Sequence, residues 1–160
     1  MTDTDLDPDP GQGRGRRPAG GFAPLVAELL VEDLAASLGF WSGPLGFTVA
    51  YDRPAERFAY LERPEGGQIM LHQRCGVWET GALARPFGRG VMFQIAVAGL
   101  EPIIGRLEQA GWPLHAGPRE AWRRIGDREG GRREIAVLDP DGYLLMLAED
   151  LGSRPLRQTP

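Results

Sequence analysis

The turn and strand Asp139-Pro140-Asp141-Gly142-Tyr143-Leu144-Leu145-Met146-Leu147-Ala148 constrain this chain more than any other stretch, because they have an earlier counterpart, Arg63-Pro64-Glu65-Gly66-Gly67-Gln68-Ile69-Met70-Leu71-His72. Pro64 matches Pro140, Gly66 matches Gly142, and Ile69, Met70 and Leu71 match Leu145, Met146 and Leu147 without a gap. Proline presets the second position of each turn and glycine supplies a positive φ. Residues 26–34 likewise align with residues 92–100, and each of these strands runs into a short helix. The chain is one module of roughly 50 residues used twice, and internal repeats decide a fold before any finer reading does. Each module reads as strand, helix and three further strands.

The order of elements follows from local signals. Residues 1–23 hold Asp3, Asp5, Asp7, Asp9, several glycines and prolines, and few apolar side chains, a composition expected of a disordered tail. A first strand is expected over 24–31. Asp33 caps a helix carrying Leu34, Leu38 and Trp41 on one side, and Gly43-Pro44 ends it. Strands are expected over 47–52, 57–62 and 68–73, then a connector over 74–90. The second module spans 91–150: a strand over 91–97, a helix over 101–110, a strand near 112–115, an irregular insertion over 116–131, and strands over 132–138 and 143–149. Residues 24–152 form a single domain, and 153–160 a second tail.

Composition narrows the function classes. With 42% hydrophobic and 25% charged residues the chain is an ordinary globular one. No apolar run approaches a membrane span and no charged-then-apolar start marks a signal peptide, so a cytoplasmic location without membrane contact is expected. Cys75 is the only cysteine, which excludes an intrachain disulfide. The net charge of -4 argues against a nucleic-acid surface.

Strand alternation sorts the side chains. Leu25, Ala27, Leu29, Val31, Phe93, Ile95 and Val97 make an apolar face that belongs under the helices. The other face, concave by twist, carries Val26, Glu28 and Leu30; Gln68, Met70 and His72; Met92, Gln94 and Ala96; and Leu144, Met146 and Ala148.

The doubled module, Val31-Glu32-Asp33-Leu34 leading into Ser37-Leu38-Gly39-Phe40-Trp41 and Leu45-Gly46-Phe47, and Asp139-Pro140-Asp141-Gly142 before the last strand together resemble the vicinal oxygen chelate superfamily, which includes glyoxalases, ring-cleaving dioxygenases and bleomycin resistance proteins. The resemblance implies an α+β fold in which two βαβββ modules form a curved mixed sheet around a cavity. In metal-dependent members four ligands project from the concave face. By position they fall on Val26, Met70, Met92 and Met146, which offer neither carboxylate oxygen nor imidazole nitrogen.

No metal and no cofactor are therefore expected, and the nearest branch is that of the bleomycin resistance proteins: a homodimer that binds a cationic aromatic antibiotic without chemistry. Glu28 is expected to pair with a positive group, His72 and Gln94 to orient the ligand by hydrogen bonds, Met70, Met92 and Met146 to line the cavity, and Trp78 and Trp122 to wall it by stacking. The alternative is an enzyme of the superfamily, a lyase, isomerase or dioxygenase-like protein, with Glu28 as a general base or a metal site shifted onto Glu28, His72 and Gln94. His115, at a loop edge, is expected to have no role.

Overall fold

The computed structural model describes residues 13–156. Eight strands follow the repeated order, with one short strand before them: β1 (Arg14–Gly15), β2 (Ala27–Val31), α1 (Leu34–Ser42), β3 (Thr48–Arg53), β4 (Phe58–Glu62) and β5 (Gln68–Gln73), then β6 (Met92–Val97), α2 (Glu101–Gln109), β7 (Ala116–Ile125), β8 (Arg128–Leu138) and β9 (Leu144–Pro155). They form a five-stranded sheet, β1-β3-β4-β5-β2, and a four-stranded sheet, β6-β9-β8-β7. In each module the first strand lies parallel to the last, and the others are antiparallel. This is the expected α+β architecture of two curved mixed sheets.

The local signals act where the sequence puts them. Asp33 Oδ1 accepts Ala35 N at 2.9 Å and Ala36 N at 3.1 Å, satisfying the first amides of α1. Pro102 sits in the first turn of α2, where a missing amide hydrogen costs nothing. Gly66 and Gly142 take φ of +90° and +92°, as their turns require.

One apolar core joins the modules. Leu29 and Val31 from β2, Phe40 and Trp41 from α1, Ile95 and Val97 from β6, Ile103 and Leu107 from α2, and Leu145 and Leu147 from β9 all belong to it. The core face is thus the one alternation selects, except that Leu25 precedes the paired part of β2 and is 88% exposed.

The Asp139-Pro140-Asp141-Gly142 turn ties the modules together by polar bonds. Asp139 Oδ1 accepts the amides of Asp141 and Tyr143, both at 2.9 Å, while its Oδ2 accepts Trp41 Nε1 at 3.4 Å. Asp141 Oδ2 accepts Glu32 N and Ser37 Oγ from module one, and Tyr143 OH donates to Leu30 O at 3.0 Å. The matching turn of module one reaches the other way: Glu65 Oε1 accepts Ala98 N at 2.9 Å while Arg63 chelates the same carboxylate. Arg63's guanidinium is the chief reason that the Glu65 carboxyl is held down at about 2.

Three boundaries differ from expectation. Of the stretch read as a disordered tail, residues 1–12 lie outside the described residues, but 13–23 lie along the first sheet: Arg14 and Gly15 pair with Asp52 and Tyr51 of β3. The expected strand near 112–115 is absent, and the insertion 116–131 is instead most of a long hairpin, β7 and β8, closed by the two-residue turn Gly126-Asp127 with φ of +63° at Gly126. Finally, β9 runs on to Pro155, pairing Arg154 with Glu129 and Pro155 with Arg128, so residues 153–155 are strand rather than tail, while 157–160 lie outside the described residues.

Candidate functional site

Cross-strand register places the concave-face residues in rows. In the first sheet Tyr51, Tyr60, Met70 and Glu28 form one row across β3, β4, β5 and β2. Arg53, Phe58, His72 and Leu30 form the next, and Thr48, Glu62 and Gln68 the row on the other side. In the second sheet Gln94, Met146 and Ala136 share a row across β6, β9 and β8, and Ala96, Ala148, Glu134 and Arg119 share the one beside it.

Two of the expected site residues meet directly. His72 Nδ1 lies 2.9 Å from Glu28 Oε1, and its Nε2 lies 3.8 Å from Cys75 Sγ. Phe58 packs edge-on to the imidazole at 6.1 Å. The carboxylate holds the ring in place, and the aromatic neighbour limits its access to water.

Beside this pair lies an aromatic surface. The rings of Tyr51 and Tyr60 stack with centroids 5.0 Å apart, and Tyr51 and Phe58 lie 6.0 Å apart. Tyr60 OH donates to Gln68 Oε1 at 2.5 Å. Burial, reinforced by the nearby Tyr51 and Glu62, raises the Tyr60 phenol above its usual range, so it remains a donor throughout the physiological pH range.

Gln94, Met92 and Met146 come together on the second sheet, where they line a cavity of about 400 Å³ with Arg123, Arg132 and Glu134. Glu134, only 2% exposed, takes Arg123 through both guanidinium nitrogens and Arg119 at 3.4 Å. Arg123 is the main reason that its carboxyl lies below the usual range. The two arginines remain half-exposed, so they roof the carboxylate at the surface of the face.

Trp122 is turned away from the face of the second sheet, and Trp78 packs on little. Trp78 is 72% exposed in the connector. The Trp122 ring lies over Gly131 with Arg154 Cζ 3.9 Å from its centroid, and alternation along β7 points it away from the side that carries Arg119 and Arg123. His115 is exposed, and its backbone amide bonds Ala136 O.

A divalent cation does not fit these donors. Val26, Met70, Met92 and Met146 supply aliphatic carbon and thioether sulfur, and Glu28 and His72 are engaged with each other on one sheet while Gln94 stands on the other. Among the described residues no three His, Cys, Asp or Glu side chains are grouped to hold a metal ion. Nor is any helix of the described residues long and apolar enough to cross a membrane.

The model of the Glyoxalase/Bleomycin resistance protein/Dioxygenase superfamily matches residues 23–147. TioX from Micromonospora sp. ML1 superposes with a TM-score of 0.60 at 19% identity, over 81% of this chain and 100% of that one. A bleomycin resistance determinant encoded on the transposon Tn5 gives 0.54 at 21%, over 81% and 99%. Lactoylglutathione lyase from Agrobacterium tumefaciens gives 0.52 at 17%, over 82% and 94%. No curated protein sequence matches. At these identities the structural likenesses establish the fold.

Proposed function

Because the chain belongs to the glyoxalase/bleomycin resistance protein/dioxygenase superfamily, we propose that it is a metal-free small-molecule binding protein that holds a flat, cationic aromatic compound, of which bleomycin is the type, and sequesters it without chemistry. The observation that carries this reading is the side-chain chemistry at Val26, Met70, Met92 and Met146. These positions, where a metal-dependent relative would grip its ion, offer contact surface and no hard donor. Glu28, fixed by His72, supplies a negative charge at the end of the row that begins with stacked Tyr51 and Tyr60. Those two tyrosines, and not Trp78 and Trp122, take the stacking role in this reading, and Gln94 offers an amide from the second sheet.

The acting unit in this reading is a homodimer. Among the described residues β2 and β6 are both edge strands, each with one side unpaired, and Leu25 and Met92 stand exposed beside them. An exposed edge next to apolar side chains favours pairing with another strand. Setting β2 of one chain beside β6 of a second brings an aromatic, acidic half-face against a thioether-lined one and closes a cleft between them.

Titration calorimetry with copper-free bleomycin tests the proposal. Binding at micromolar Kd or tighter is expected for the wild type, and Glu28→Gln is expected to weaken it about 10-fold, or about 1.4 kcal/mol. Absence of heat with bleomycin and with related cationic glycopeptides would leave the fold without this function.

A second reading is favoured by the bond between Glu28 and His72: an enzyme of the family in which Glu28, positioned by His72, takes a proton from a bound substrate without a metal. Elemental analysis after growth in medium supplemented with zinc, nickel, manganese and iron tests the lack of hard donors on which both readings rest. Far less than one metal per chain is expected, whereas one tightly held ion that is lost in His72→Ala would put a metal on Glu28, His72 and Gln94 and overturn both.

A further inference from the structure

The family match begins at residue 23, yet the residues before it are built onto module one: β1 extends the sheet at its β3 edge, and the stretch that follows lies on the concave face. After β1, Arg16 N bonds Ala50 O at 2.8 Å and the chain crosses the sheet as a strap. Ala19 N donates to Glu62 Oε2 at 2.7 Å, and Arg16 Nη2 lies 3.0 Å from Glu62 Oε1. Gln68 holds the strap twice, accepting Ala23 N at 2.8 Å and donating to Gly21 O at 2.7 Å. Between these anchors Phe22 stands edge-on to Tyr60 at 5.6 Å and to Tyr51 at 6.4 Å.

The strap therefore uses the groups that a ligand would use. An aromatic ring sits on the tyrosine pair, a guanidinium and an amide N–H satisfy a buried carboxylate, and a peptide unit satisfies Gln68. Its hold is also shallow. Phe22 remains 49% exposed, and a Cβ added at Gly20 or Gly21 would meet nothing within 4 Å, so Pro18 is the only buried residue of the crossing. Glu62 is itself buried, and when a ligand takes the place of the strap the carboxylate again requires a donor, which a hydrocarbon ring lacks.

We propose that residues 16–23 are an intramolecular stand-in for the ligand of this face. The ligand presents an aromatic ring where Phe22 lies and a cationic N–H group where Arg16 and the Ala19 amide meet Glu62, and it binds by displacing the strap. This rests on the small-molecule-binding reading above and extends it to the chemical class and to self-competition. A site that is open only a fraction of the time binds with its affinity reduced by that fraction, so loosening the strap must tighten binding.

The test uses the full chain, its Phe22→Ala and Glu62→Gln variants, and two probes, tryptamine and copper-free bleomycin. Phe22→Ala is expected to bind tryptamine about 10-fold more tightly than the wild type. Hydrogen exchange at the Ala19 and Ala23 amides is expected to quicken in that variant, and to quicken in the wild type when tryptamine is added. Glu62→Gln is expected to free the Ala19 amide and yet to bind tryptamine more weakly than Phe22→Ala does, because the carboxylate serves both occupants. Equal tryptamine affinity in the wild type and Phe22→Ala, or slower exchange at Ala19 and Ala23 on ligand addition, overturns the proposal. If bleomycin binds no form while tryptamine binds Phe22→Ala as expected, the antibiotic reading fails and the competing strap stands.

Discussion

Replacing Trp41 with alanine is expected to destabilise the protein by about 4 kcal/mol, a large share of the stability of an ordinary domain. The side chain is fully buried in the joint core, with its ring edge-on to Phe47 at 5.1 Å and to Phe40 at 6.5 Å. Its loss removes transfer free energy and leaves a cavity that rigid neighbours on α1 and β3 cannot close. It also strips Asp139 Oδ2 of its indole donor. Trp41→Phe keeps most of the volume and loses only that bond, and should cost about 1–2 kcal/mol. Urea unfolding of the two variants at pH 7 checks the ranking. A Trp41→Ala loss below about 1 kcal/mol would mean that the two modules do not share a core as described.

How much of this could be read in the sequence depends on the range of the interaction. Asp33 capping α1 and Gly142 at positive φ are decided within a few residues, and both are legible. The core faces of β2 and β6 are legible too, because the two-residue period is indifferent to which strand lies beside them. That indifference also explains the error at Leu25: alternation continues along the chain after pairing has stopped. The hairpin of β7 and β8 carries a local signal too. Ile125-Gly126-Asp127-Arg128 is a two-residue turn sequence between segments rich in charged residues, whose strand character comes from pairing rather than from apolar alternation.

The candidate site was less legible, and for a physical reason. Glu134 reads as a surface residue between Arg133 and Ile135, and only the hairpin brings Arg119 and Arg123 onto it. Residues 16–23 have the glycine, proline and charge content of a tail. They are held by Glu62 and Gln68, about forty residues away, and by tyrosines whose facing could not be known before β3 and β4 were registered. Glu28 and His72 fall on the concave side by alternation alone, and the parallel pairing of the first and last strands of the module then sets Glu28 beside Met70 and Leu30 beside His72. A large ring in a glycine-rich segment requires cover, which sequence alone leaves open between a core edge, a partner subunit and a ligand; at Trp122 the neighbouring Arg154 and the bare backbone of Gly131 supply it, and Trp78 stands 72% exposed.

Asp139 should be the most sensitive polar residue in the molecule. Asp139→Ala removes the acceptor for two backbone amides in a buried turn and for the Trp41 indole, and is expected to cost about 3–4 kcal/mol, since each orphaned donor keeps its desolvation penalty. Asp139→Asn retains an oxygen for the Asp141 and Tyr143 amides but turns an N–H toward Trp41, and should cost about 1–2 kcal/mol at pH 7. The pH dependence gives a second, independent reading. Burial raises the Asp139 carboxyl above its usual value of 3.8, against the lowering effect of its amide donors. A raised acid binds more protons in the folded chain than in the unfolded one. Its contribution to stability is therefore greatest below 3.8 and falls as pH rises through the folded value. Asparagine does not titrate, so the gap between the wild type and Asp139→Asn should widen as pH is lowered from 7 toward 4. Asp141, also raised by burial, is present in both proteins and largely cancels in the comparison. Urea midpoints of the pair across that range decide the matter. A gap that narrows on acidification would mean that the amide donors outweigh burial and that the turn carries a stabilising charge.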